Sequence, residues 1–376
     1  NYQFCLQFSF LGLMSGTSGD GVDASIIQSN GETKYEVIKD KYYEYDSEIY
    51  QNIHKLKEKI HSLNDLKTLT KELKDLERKI TLFHAKVVED IKSDKLIDIV
   101  GFHGQTIYHN SQEKISNQLG DGKLLSQLVK KNVIFNFRQN DIQNGGEGAP
   151  LTPIFHQLIT TKHKIDLPVC VLNIGGISNI TIIDEPTGTY GFTSRDIGPG
   201  NCLIDSWVRK NSKYKYDKDG IIASSGKRND IIFEQAQELF ANRPNQNKLS
   251  FDTNDFDVSF ARGLSLEDGA TTLTDFTARV IGTALFSLLS NVSNKLCKVL
   301  VCGGGRKNKF LIEKIKKNTL KNIVIKPIDD YGVDGDFVES QAFAFLAIRS
   351  LLKLPISFPE TTGCTKPCTG GEFIKT

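Results

Sequence analysis

Absences bound this sequence first. No stretch approaches the ~20 apolar residues that a membrane-spanning helix needs. The formal net charge is only +2 over 376 residues, which removes the bulk electrostatic case for nucleic acid or an anionic membrane surface. The apolar start NYQFCLQFSFLGLM carries no basic leader and no small-residue cleavage site. It runs straight into a glycine-rich loop, so a first strand is expected there rather than a secretory signal, and the missing initial Met suggests a trimmed start. Cysteine is unpatterned: the seven are Cys5, Cys170, Cys202, Cys297, Cys302, Cys364 and Cys368. An odd, scattered set in a chain this long points to reduced thiols in a cytoplasm, several of them core filler in apolar strands. Cys364 and Cys368 invite comparison with metal ligands, but no second pair or nearby His in the sequence completes a set.

What is present is an ordinary globular composition, 39% hydrophobic and 24% charged, in a length sufficient for two sizeable cores. The most informative stretch is 11–24, LGLMSGTSGDGVDA. An apolar strand enters a loop of Gly16, Gly19 and Gly21 interleaved with Thr17, Ser18, Asp20 and Asp23, then leaves as a second apolar strand over 22–27. Glycines let a backbone approach a ligand and turn its amides toward it. Hydroxyls add donors, and carboxylates hold Mg²⁺ directly or through water. Taken alone, the segment is either a phosphate and magnesium cradle or a plain glycine-rich hairpin.

Residues 8–40 read as three strands, with Asn30-Gly31 as the second turn. Over 47–93 apolar residues recur at helical spacing (Ile53, Leu56, Ile60, Leu63; Leu66, Leu69, Leu73, Leu76, Ile80, Phe83), predicting helices with a core-facing stripe. The many lysines between 51 and 131 then form a solvated face. A short buried strand over 96–101 is expected to deliver His103-Gly104-Gln105-Thr106 at its end. A helix over 124–130 and a strand over 133–137 follow. The polar, glycine-rich 138–150 marks a hinge or a functional loop and is taken as the domain boundary. This divides the chain into an N-terminal domain, 1–137, and a C-terminal domain, 138–352, with 353–376 able to pack back on the first.

Beyond the boundary a helix is expected over 151–161, and strands over 169–173 and 177–183 flank Gly175-Gly176. That device repeats the opening one, as a duplicated nucleotide-binding fold would. Helix 274–289, strand 298–302, helix 309–317, strand 323–325 and helix 337–352 then alternate. The alternation predicts an α/β fold whose ligands gather at strand ends.

Four glycine-rich turns follow predicted strands: 16–21, 175–176, 198–200 and 303–305. Neither a Walker A pattern nor GxGxxG occurs, so a nucleotide would be held by other means. The hairpins suit phosphates, and the Gly303-Gly304-Gly305 turn suits an adenosine. Asp196, in RDIGPGN before a predicted helix, is a general base for phosphoryl transfer or a helix cap. His103 is a catalytic group, a substrate-orienting group, or a residue satisfied within its turn. Arg138 and Asp141 either grip a polar ligand or pair with each other. Glu339, in ESQAFAFLA, contacts a ligand or serves the helix start.

The ordered set MSGTSGDGVDA, GFHGQT, FRQNDIQNGGEGAPLTPIFH, NIGGISNIT, DIGPGNCLID, CGGGRKN and ESQAFAFLA resembles the anhydro-N-acetylmuramic acid kinase family, from about residue 11 to the end. The specificity lies in the order of the set. The resemblance implies the two-domain actin-like ATPase (ribonuclease H-like) fold, with a nucleotide cleft between the domains. It implies cytoplasmic peptidoglycan recycling in a bacterium, a homodimer, ATP and Mg²⁺. The implied reaction opens the 1,6-anhydro bridge of anhydro-N-acetylmuramic acid with water and phosphorylates the 6-oxygen. Carried over by position, Gly16, Thr17, Ser18, Gly19, Asp20, Gly21, Val22 and Asp23 match the ATP phosphate loop, with Asp20 and Asp23 toward the metal. Asp196 matches the catalytic base. Gly175, Gly176, Gly303, Gly304 and Gly305 match nucleotide contacts, and His103, Arg138 and Glu339 fall in segments that line the sugar site.

Three residues depart from the family pattern. Gly19 stands for the usual Leu or Met, Ile197 for the usual Thr, and Arg195 precedes the catalytic Asp, where a cation lowers a carboxylate's pKa unless it points away. The first eight residues also exceed the family's usual start. Two alternatives stay open: a conventional sugar or small-carboxylate kinase of the same fold, and a non-catalytic nucleotide or sugar sensor.

Overall fold

The computed structural model describes residues 8–92, 96–244, 246–290 and 297–376. Cys5, the first seven residues of the apolar start and the expected helix end at Ser93 lie outside them. In chain order the elements open with Phe8–Ser15 (β1), Gly21–Ser29 (β2), Tyr35–Glu44 (β3), Ser47–Lys57 (α1), Leu63–Thr68 (α2) and Thr70–Lys92 (α3). Next come Ile99–Asn110 (β4), Ile115–Leu119 (β5), Gly122–Val129 (α4), Asn132–Phe135 (β6), Gln139–Gln143 (α5) and Pro153–Lys162 (α6). A second series follows: Val169–Ile174 (β7), Ile177–Ile183 (β8), Phe192–Pro199 (β9), Cys202–Asn211 (α7), Ile221–Ser225 (α8), Asp230–Ala241 (α9) and Leu266–Leu289 (α10). Cys297–Cys302 (β10), Lys309–Lys317 (α11), Ile323–Pro327 (β11), Val338–Leu351 (α12), Pro359–Thr362 (α13) and Glu372–Ile374 (β12) complete it. No helix among the described residues is long and apolar enough to cross a membrane.

The chain forms two compact units: residues 1–167, 183–194 and 336–376, and residues 168–182 and 195–335. The first sheet runs β12-β6-β4-β1-β2-β3, with β5 paired to β4. Hairpins join β1, β2 and β3 antiparallel, while β4 lies parallel to β1 and β6 parallel to β4. The second sheet runs β11-β10-β7-β8-β9, with β10 parallel to both β7 and β11. Parallel neighbours need a crossover, which α1–α3 and α4 supply in the first unit and α7–α10 and α11 in the second. Each unit therefore has three hairpin-linked strands and then two parallel ones. This is the ribonuclease H-like order, present twice.

The division does not fall at residue 138. Segment 138–150 is tied into the first unit by Arg138 on His103 and Thr362 on Asp141. Helix α6 buries Ile154, Phe155, Leu158 and Ile159, with Phe155 against Phe345 of α12. Its polar glycine composition thus belongs to a built loop, and the chain leaves the unit only after Leu167. Helix α12 also belongs here rather than to the second unit. Strand glycines admit it: a Cβ at Gly12 would stand 2.0 Å from the Ser340 carbonyl, and one at Gly101 2.9 Å from Ala347 Cβ. The tail returns to the same sheet, where β12 pairs antiparallel with β6.

Strand β4 is longer than its apolar run. It continues to Asn110 because its second half pairs with β5. His103 and Gln105 therefore lie within it rather than past its end. The register against β1 passes from Leu13 opposite Phe102 to Met14 opposite Gly104, so His103 is the extra residue of a bulge, with Gly104 at φ +77°. Bulges of this kind re-aim a side chain.

Candidate active site

The loop between β1 and β2 is held from below. Ser15 Oγ contacts the Gly21 carbonyl (3.1 Å), Tyr45 Oη (2.8 Å) and Gln105 Oε1 (2.5 Å). Gln105 Nε2 donates to the Gly16 carbonyl (2.9 Å), and the Lys57 ammonium donates to the Thr17 carbonyl (2.7 Å). The Gly19 amide closes the turn on Gly16 O at 3.0 Å, with φ +66°. A Cβ there would lie 2.9 Å from Ile53 Cγ2, so the family's usual Leu or Met would be strained on this backbone. Val22 is fully buried in the core, so only its backbone is available to a ligand. Asp20 and Asp23 are half-buried, at the loop's end and in β2 opposite Met14.

His103 is buried and supports Arg138. Its Nδ1 lies 2.8 Å from the Gly104 carbonyl, which makes Nδ1 the protonated nitrogen. Nε2 then accepts from Arg138 Nε (3.1 Å) and Nη2 (3.0 Å). Burial, and then the adjacent guanidinium, hold its pKa well below the ordinary 6.5. With Nε2 engaged, His103 is a positioning residue for Arg138 rather than a base. Arg138 also donates to the Gly148 carbonyl at 2.9 Å and lies over the Phe343 ring, 5.7 Å from its centroid. Glu339 is half-buried one turn before Phe343 on the same face of α12. Asp141 does not pair with Arg138: it is buried and accepts from Thr362 Oγ1 (2.6 Å) and the Gly148 amide (2.7 Å).

In the second unit, three turns meet at the carboxyl ends of β7 and β10, where open α/β sheets bind ligands. The carbonyls of Gly175 and Gly176 take the amides of Asn201, Gly200 and Cys202. The Gly303 turn lies on β7's end, since a Cβ there would stand 2.5 Å from Asn173 Oδ1. Arg306 braces that turn, with Nε 2.7 Å from Asp329 and Nη1 3.1 Å from the Gly303 carbonyl. Asp196 lies inside β9 and is buried. The N-cap of the following helix is Asn201, so Asp196 is not a cap. Its amide donates to Leu249 O (2.8 Å), and Oδ2 accepts from the Phe251 amide (2.9 Å). Strand alternation turns Arg195 and Ile197 to the face opposite the Asp196 carboxylate. Ile197 joins the core there, and Arg195 acts on Arg243, whose pKa is lowered by burial and by that charge.

Glycines of the 16–21 loop and of the 175–176 and 303–305 turns divide by cause. Gly21 and Gly305 are forced by close packing, and Gly19 and Gly303 by positive φ. A Cβ at Gly16 or Gly304 would meet nothing within 4 Å, and one at Gly175 only Ile177 O at 3.6 Å, with none of the three in the left-handed region. At these positions the fold itself does not demand glycine, and space stays open over the backbone. Each of these backbones is therefore open to a ligand lying against it.

One residue and one segment that hold the candidate site escape a sequence reading. Lys57 follows the inward-facing Ile53 and Leu56, so its burial reads as an ordinary helix lysine until the loop is seen above it. The segment 249–251 carries no motif at all, yet it holds Asp196 in place.

A model of the family described as anhydro-N-acetylmuramic acid kinase matches residues 8–375. The relative of that description from Pelagibacter ubique is 56% identical over 370 residues, covering 98% of each chain. Those from Zymomonas mobilis and Rhodospirillum rubrum are 37% and 36% identical, covering 96% of this chain and 98% and 93% of theirs.

Proposed function

The chain belongs to the anhydro-N-acetylmuramic acid kinase family, and from that premise we propose that it opens the 1,6-anhydro bridge of this sugar with water and phosphorylates it. Water adds at the anomeric carbon while the bond from that carbon to the 6-oxygen breaks. The 6-oxygen takes the γ-phosphoryl group of ATP, giving N-acetylmuramic acid 6-phosphate and ADP. Asp196 is the base that removes the water's proton, and the Phe251 amide fixes its carboxylate. Residues 16–23 and Gly175-Gly176 hold phosphates, and Gly303–Gly305 receive the adenosine. Asp20 and Asp23 would hold Mg²⁺, a cation that takes one or two carboxylates besides phosphate oxygens. When bound, Mg²⁺·ATP supplies the phosphoryl group with its charge neutralised. Arg138, set by His103, binds the sugar together with Glu339. The setting is cell-wall recycling in a bacterial cytoplasm.

The open backbone at Gly16, Gly175 and Gly304 carries the nucleotide part of this reading. The test is ADP release on adding anhydro-N-acetylmuramic acid, with NMR placing the phosphate on the 6-oxygen and labelled water entering the anomeric position. ADP release with N-acetylglucosamine but not with the anhydro sugar would point to a conventional kinase. ATP binding with no ADP release would point to a sensor. A homodimer, implied by the family resemblance, is checked by light-scattering mass.

A further inference from the structure

Among the described residues, one group of three metal-ligating side chains converges: Asp141, Cys364 and Cys368, all buried, with ligand atoms within 4.8 Å of one another. The two sulfurs also flank a fourth donor. Cys364 Sγ lies 3.2 Å and Cys368 Sγ 3.0 Å from the Lys366 carbonyl oxygen. The backbone around them is fixed independently. Cys368 pairs with Ser357 and accepts from the Ile356 amide (2.7 Å), the Thr365 amide donates to Asn144 O (3.2 Å), and Asp141 is held by Thr362 and Gly148. Two thiols and a carboxylate thus converge on a preformed frame, with the Lys366 carbonyl set between the two sulfurs.

We propose that Asp141, Cys364, Cys368 and the Lys366 carbonyl bind one Zn²⁺. Two sulfur donors select a borderline-soft cation over Mg²⁺ or Ca²⁺. Ideal tetrahedral zinc places sulfur and oxygen ligands about 3.5 Å apart, against 3.2 and 3.0 Å here, so the sulfurs move outward by a few tenths of an ångström on binding. Binding forms two Zn–S bonds and releases two thiol protons to solvent, with no change of oxidation state. The ion joins the C-terminal turn to α5, directly after Arg138, and so steadies the segment that carries that guanidinium. It is separate from the Mg²⁺ assigned to Asp20 and Asp23, and it does not depend on the reaction proposed above.

The test uses the full chain, purified under reducing conditions without chelator, then incubated with zinc and desalted. Elemental analysis is expected to find about one zinc per chain, and C364S and C368S each to reduce it about tenfold or more. Replacing the zinc with Co²⁺ in the wild-type protein should give a thiolate-to-cobalt charge-transfer band, a readout independent of whether the variants fold. In the metal-free protein, the Gly148 and Thr365 amides should exchange faster. Zinc at less than about a tenth of an equivalent would overturn the proposal. So would zinc unchanged in both variants, no charge-transfer band with Co²⁺, or a Cys364–Cys368 disulfide in the unreduced chain.

Discussion

Adding a methyl group at Gly16 or Gly304 should separate what the fold needs from what the nucleotide needs. Neither Cβ meets an atom within 4 Å, and neither backbone is left-handed. Alanine at such a position restricts the unfolded chain and stabilises by about 0.4–1 kcal/mol. Gly304 opens a 3₁₀ turn over Gly304–Lys307, where helical preference acts in the same direction. G16A and G304A should therefore raise Tm by about 1–4 °C in calorimetry. The same methyl occupies the space assigned to ATP, so affinity by titration calorimetry should fall at least about tenfold, or about 1.4 kcal/mol. G19A is the control with the reverse outcome. Its left-handed backbone and the contact with Ile53 at 2.9 Å make alanine destabilising, by about 1–2 kcal/mol. Stabilised G16A and G304A variants that bind ATP as tightly as the wild type would refute the reasoning, because the open backbone would then face nothing.

Asp196→Asn keeps an acceptor for the Phe251 amide but removes the base, so kcat should fall about 10²- to 10⁴-fold while ATP still binds; activity within tenfold of wild type would remove Asp196 from that role. Lys57→Met retains the buried stem but loses the bond to the Thr17 carbonyl, and should raise KM for ATP more than KM for the sugar. Arg138→Lys gives up the fork shared by His103 and Gly148, and should raise KM for the sugar at unchanged KM for ATP. His84 and His156 are fully buried, and burial lowers their pKa values from 6.5 to about 4 and about 3. Both are held neutral in the fold, so their contribution is intact above pH 6.5 and is lost as pH falls below it. Urea unfolding at pH 5 should show about 2 kcal/mol less stability for each histidine than at pH 7.

Much of the architecture was legible because it rests on local rules. Short apolar runs flanking glycine-rich turns marked β1, β2, β7 and β8, and the stripe from Leu66 to Phe83 marked α3. Element ends set by partners were not legible. The extension of β4 to Asn110 depends on β5, and the bulge at His103 on its register with β1. The boundary near residue 138 was misplaced because a polar glycine loop looks the same in sequence whether it is a hinge or a loop bonded into a core.

The sequence by itself determined the family and the repeated strand–turn–strand device, since these reside in residue types and their order. Only the tertiary structure separated glycines that the backbone requires, such as Gly19 and Gly303, from those over which space is left open, such as Gly16 and Gly304. It alone set His103 against Arg138, placed Lys57 on the Thr17 carbonyl of the 16–21 loop, and brought Asp141 to two cysteines more than 200 positions away. The physical reason is common to the last three. Each depends on a distance between residues remote in sequence, and composition, period and motif encode no such distance.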